Sequence, residues 1–183
     1  MKRLLALAIT SGLMTVALCG GSASAATEAS GCQLHGGANF APPLTNTAQS
    51  FNYSFSGVIP TCQSSAGGPT SGTVFAGTNG LPVPTGNGSC ASSTTSGIAV
   101  VQWSDGSVTV LQYTTTGAAA AVALQGSVIG SVTTSDGLTT YTTNRYAGDS
   151  ATGTVAFEPP DPTACNGAGV TSAGIDGVIG LHS

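Results

Sequence analysis

Ser150, Asp176 and His182 are the side chains of this 183-residue chain whose types could together do covalent chemistry. A serine hydroxyl attacks when a histidine takes its proton and a carboxylate orients that histidine. Gly148-Asp149-Ser150 supplies the glycine-led turn on which such a serine could be displayed. The triplet also has a plainer reading, because Gly, Asp and Ser all favour turns and "YAGDSATGTVAF" leads from one into an extended segment. Glu158 and Asp161 in "FEPPDPTAC" could ligate calcium, but calcium wants six to eight oxygens from an ordered loop and no such spacing is present, so a solvated acidic loop is expected. Seven carboxylates could also contain a glycosidase pair, and no motif singles one out. The cysteines form no Cys-x-x-Cys pair and only His35 lies near one of them, so neither a metal nor a cofactor is expected.

Family context also weighs against a nucleophile. In chymotrypsin-like proteases the triplet runs on into glycine, whereas Ala151 and Thr152 follow here, and the one upstream histidine, His35, lacks the flanking residues of that family. In the GDS lipases and esterases the triplet lies early, the aspartate stands three residues before the histidine, and α/β layers present the serine. Here the triplet is late, Asp176 and His182 are further apart, and no helical period follows the leader. The chain is read as not an enzyme.

Non-covalent recognition rests on aromatics, whose flat faces stack on sugar rings, and Trp103, Tyr113, Tyr141 and Tyr146 are the candidates. Trp103, beside a hairpin turn, is expected in the core. Tyr141, among threonines in "LTTYTTNRY", and Tyr146, next to Arg145, are expected to be exposed. Tyr141, Tyr146 and Arg145 are therefore the candidate ligand contacts, with Arg145 also expected to stack on a tyrosine or pair with Asp149.

The elements that must position these residues follow an export signal over residues 1–25. Lys2 and Arg3 precede an apolar run from Leu4 to Leu18, and "GGSASA" places Ala23 and Ala25 at a small-residue cleavage site. The run is too short for a membrane span, and bulky Leu18 argues against lipidation of Cys19. A secreted, extracellular protein is expected. Residues 26–183 suit one domain. Past the leader, Arg145 is the sole Lys or Arg against seven carboxylates, so phosphates and anionic lipid would find almost no cation, which excludes nucleic acid and acidic membranes as partners.

Four cysteines remain, Cys32, Cys62, Cys90 and Cys165, an even number that outside the cell suggests two disulfides with three pairings open. The pairing Cys32–Cys62 with Cys90–Cys165 is favoured because it ties strand ends to loops without interleaving. "FNYSFSGVI" alternates Phe51, Tyr53 and Phe55 inward with Asn52, Ser54 and Ser56 outward, the period of a half-buried strand. Ile98–Trp103, an Asp105-Gly106 turn and Val108–Thr115 read as a hairpin pairing Trp103 with Val108 and Val101 with Val110, near the middle of a sheet because both faces are apolar. Further strands are expected at Gly72–Ala76, Ala119–Leu124, Ser127–Thr133, Thr139–Asn144, Gly153–Phe157 and Gly177–Leu181, with connections at 60–72, 77–97 and 158–170. The fold class is all-β: an antiparallel β-sandwich, immunoglobulin-like or Greek-key, with two disulfides.

"GCQLHGGANFAPPLT", "PTCQ", "GNGSC" and the tryptophan-plus-Asp-Gly hairpin make the chain resemble small secreted four-cysteine actinobacterial proteins that have no assigned activity. It also resembles the neocarzinostatin-type carriers in being exported, acidic and rich in Gly, Ala and Thr, which would imply two disulfides on an immunoglobulin-like sandwich. The disulfides of those carriers close short loops, a departure from the long spacings here. The expected function is a non-catalytic binding or structural role at the cell envelope or outside the cell, with cell-wall or extracellular polysaccharide first among partners. A protease inhibitor is the alternative, using "NGLPVPTGNGSC" as a proline-stiffened reactive loop anchored at Cys90 and dependent on Leu81, and a serine hydrolase acting through Ser150 comes last.

Overall fold

A computed structural model describes residues 30–64, 67–118 and 120–183; the export signal expected over residues 1–25, with Cys19, lies outside the described residues. The fold is all-β but not a sandwich: eight antiparallel staves close into a barrel. Around the barrel they run β1 (Ser30–Leu44), β2 (Gln49–Ile59), β4 (Gly72–Ala76), β6 (Ser92–Trp103), β7 (Val108–Ala118), β8 (Ala121–Ile129), β11 (Ser150–Glu158) and β12 (Val170–His182). Each stave pairs with the next along the chain, an up-and-down meander. Closure comes from β1, which pairs with β2 on one side (Ala38 opposite Phe55) and with β12 on the other (Leu34 opposite Gly177). Two open sheets would leave four edges of unpaired backbone; closing one sheet on itself removes them.

Short elements complete the wall. β3 (Cys62–Ser64) extends the pairing of β1, and β5 (Thr85–Gly88) continues the line of β4 after a loop, bridging β2 and β6. The β9 (Ser131–Thr133) and β10 (Thr140–Thr142) hairpin leaves the barrel after Gly130 and folds over its outside. There it covers Phe75, Val100 and Val110, together with Leu81 from the loop after β4. The two-faced apolarity of the β6–β7 hairpin has this cause: the inner face lines the barrel and the outer face lies beneath the β9–β10 hairpin.

The β6–β7 turn corrects the expected register by one residue. Trp103 pairs with Ser107 through its N–H, Gly106 takes φ +84° and Gln102, not Trp103, faces Val108. Three residues thus form the loop, with glycine in the left-handed position that ends such turns. Two further corrections concern strands that the composition hid. β1 was not expected at all, and the first half of β6, "SSTTSG", was assigned to a connection. Both are short of the large β-formers that mark a strand. In β1 the reason is spatial: a Cβ on Gly36 would lie 2.8 Å from the Phe55 ring and 2.6 Å from the Ser56 carbonyl oxygen, so glycine leaves room for an aromatic from the neighbouring strand.

Side chains alternate across the wall. Inward rows such as Ala99, Val101 and Trp103 on β6, or Leu111 and Tyr113 on β7, are buried, while Thr94, Ser96 and Gln102 or Gln112, Thr114 and Thr116 point outward and are exposed. Both disulfides have the favoured pairing, Cys32–Cys62 and Cys90–Cys165.

Candidate functional site

An eight-stranded barrel has an interior just wide enough to be filled by side chains or to hold one small ligand. In this protein each end is plugged and the middle is not filled. At one end Trp103 and Tyr146 pack edge to face, ring centroids 5.5 Å apart, beside Ile59, Leu181 and the Cys32–Cys62 bridge. The Trp103 Nε1–H donates to Thr109 Oγ1 at 2.9 Å, and that hydroxyl donates to the Arg145 carbonyl at 3.0 Å, so the indole is held in one orientation. At the other end Phe40 meets Phe51 and Phe157 at centroid distances of 5.9 and 5.7 Å, over Leu44 and Val170. Loops strap this end: the Cys90–Cys165 disulfide joins the β5–β6 turn to the β11–β12 loop, and Asn46 Nδ2–H donates to Asn166 Oδ1 at 2.6 Å.

Between the plugs lies a cavity of ≈ 150 Å³. Its wall is almost wholly apolar, from Leu34, Ala38 and Phe55 through Val74, Ala99 and Leu111 to Leu124, Val155 and Ile179, and no charged side chain lines it. Its polar feature is a chain of four linked hydroxyls; Ser93 and Thr109 also line it, the latter engaged with Trp103 and the Arg145 carbonyl. Tyr53 and Tyr113 meet oxygen to oxygen at 2.6 Å, Tyr53 meets Thr95 Oγ1 at 3.0 Å, and Thr95 meets Thr115, its cross-strand partner, at 2.7 Å. Burial raises the pKa of both phenols above the ordinary tyrosine value, and for Tyr113 the adjoining Tyr53 adds to the rise. Both are therefore neutral hydrogen-bonding groups at any physiological pH.

Tyr53 was expected to point inward and Tyr113 stood among the aromatic candidates for sugar stacking, but Tyr53, Thr95 and Thr115 were not singled out as recognition groups. The signal for Thr95 was present: Ser93, Thr95, Gly97, Ala99, Val101 and Trp103 form one inward row with a period of two, hidden because its first half is small and polar.

The expected contacts are placed elsewhere. Tyr146 is not exposed: it is 5 % accessible, packed on Trp103, with the Arg145 guanidinium 5.1 Å from its ring centre. Tyr141, on β10 of the outer hairpin, is half-buried against Phe75. Arg145 thus stacks on a tyrosine as expected, but the trio offers no open platform. Leu81 is also buried, at 2 % accessible, so it cannot enter a protease as a reactive-loop residue.

Ser150 begins β11 after a turn in which Gly148 takes φ +87° and Asp149 N–H bonds the Tyr146 carbonyl. It faces His182 across β11 and β12, both exposed on the outer wall. Asp176 lies six residues along β12, roughly 20 Å away at the rise of a strand, and contacts His35 Nδ1 on β1. The three residues do not form a triad. Asp161 caps its own turn, accepting from the Thr163 N–H and hydroxyl at 2.8 and 2.7 Å.

The chain matches no family model, no curated protein and no solved structure. Functional inference therefore rests on the cavity. Among the described residues no helix is long and apolar enough to cross a membrane.

Proposed function

We propose that this is an exported, non-catalytic binding protein that holds one small apolar molecule inside its barrel. The observation that carries the reading is the ≈ 150 Å³ cavity with an apolar wall, lying between two aromatic clusters. An apolar void of that size stays dry and accepts a molecule the size of benzene. Binding replaces lost dispersion contacts and removes the ligand's surface from water.

Export is supported by the leader and by two disulfides, which persist in oxidising compartments. The hydroxyl-rich outer wall suits water, whereas a membrane-spanning barrel turns an apolar band outward. Recognition moves from the outer surface, where polysaccharide was expected to dock, to the interior, because Tyr141 and Tyr146 are engaged in packing.

Trp103, the only tryptophan, lines the cavity and reports its occupancy. Titration of the purified protein with alkylbenzenes and small terpenes is expected to change its emission saturably and raise Tm. Leu124→Trp, which fills the cavity from β8, is expected to remain folded and lose the Tm rise. Absence of any saturable response across the panel would overturn the reading.

A further inference from the structure

The polar feature of the cavity permits a proton count. Tyr113, Tyr53, Thr95 and Thr115 carry one hydroxyl proton each, and the three contacts that link them use three. The fourth proton has no partner in the chain that links these groups. Deprotonation cannot remove the excess, since burial holds both phenols in their protonated form. All four side chains line the cavity, with Ser93 on the same inward row as Thr95, so the remaining O–H is carried by a side chain that a ligand in the cavity can touch. An unsatisfied buried donor is costly, and a ligand that accepts from it relieves that cost.

The geometry points to a polar subsite that selects a neutral, ring-sized apolar molecule bearing a single carbonyl oxygen, with the Tyr113–Tyr53–Thr95–Thr115 chain as its hydrogen-bond donor. Each restriction has its own ground. Neutrality follows from a lining without charged side chains, where an ion would lose its hydration uncompensated. Ring size follows from the ≈ 150 Å³ volume. A carbonyl is preferred to an alcohol because it has only to accept the remaining proton, whereas an alcohol must in addition aim its own O–H at a free lone pair of the same chain, a second geometric demand.

The inference rests on the binding reading above, and the test separates the two. Ethylbenzene, acetophenone and 1-phenylethanol share a skeleton and differ in one oxygen. Acetophenone is expected to bind roughly three- to tenfold more tightly than ethylbenzene by Trp103 emission, the gain of one net hydrogen bond, with 1-phenylethanol between them. The bound ketone is also expected to show its carbonyl stretch below the wavenumber it has in hexane. The variant Tyr53→Phe/Tyr113→Phe/Thr95→Val/Thr115→Val keeps the side-chain shapes and should bring the acetophenone-to-ethylbenzene ratio to about one. If that variant does not fold, the infrared shift and the ratio in the unaltered protein still decide. Equal binding of ketone and hydrocarbon, with no shift, overturns the subsite and leaves the cavity reading standing; no binding of any of the three overturns both.

Discussion

Tyr53 and Tyr113 show how far one residue's surroundings reach into the behaviour of the molecule. Their pKa values are raised in the fold by burial, so the unfolded chain loses these protons first on alkalinisation. The stability they contribute is complete below the unfolded value of about 10 and is lost as pH rises from there towards the folded values. Thermal melts from about pH 8 to about pH 11.5 are expected to show Tm falling above about pH 10. Tyr53→Phe/Tyr113→Phe should fall less steeply over that range. Parallel curves would mean that both phenols ionise in the folded barrel. At this scale Tyr53 was legible, because Phe51, Tyr53 and Phe55 alternate with polar residues in "FNYSFSGVI". Its hydroxyl partners were not, because Thr95 comes from β6, 42 residues on, and reaches Tyr53 through β5, which pairs with both β2 and β6, while Thr115 joins through Thr95.

Among the elements, the strands rich in Val, Ile, Phe and Tyr were readable and those built from small residues were not. β1 carries Gly36-Gly37 and Pro42-Pro43, which read as loop, yet it is the stave that closes the barrel. Its glycines fit under Phe55 of β2, a constraint imposed by a neighbouring strand and absent from local propensity. The disulfides act on the elements that hydrogen bonding leaves weakest. Cys32–Cys62 ties β3 to the start of β1, and Cys90–Cys165 straps a loop whose only helical content is one 3₁₀ turn, Ala164–Asn166. Cys90→Ser/Cys165→Ser is expected to lower stability by about 4 kcal/mol in urea denaturation, from the unfolded-state entropy that a bridge spanning 75 residues removes. A loss under about 1 kcal/mol would show that the loop is held without the bridge.

For the whole molecule, the decisive contact is the pairing of β12 with β1, which brings the end of the described chain to its beginning. Removal of residues 170–183 would leave β1 and β11 with bare edges and open the cavity to water. The truncated protein is expected to aggregate, and size-exclusion chromatography with Trp103 emission checks this; a monomer with native emission would show that closure is dispensable. The sequence by itself determined that the chain is all-β, that its cysteines suit two bridges, and that "GDS" forms a turn, because alternation, turn chemistry and cysteine count are local or additive properties. Only the tertiary structure decided between sandwich and barrel. The same alternating strands satisfy either architecture, and the choice depends on whether the first and last strands pair, a contact across the full length of the chain that no local window contains. The cavity inside the wall follows from that one closure, and the hydroxyls on it meet because β5 bridges β2 and β6.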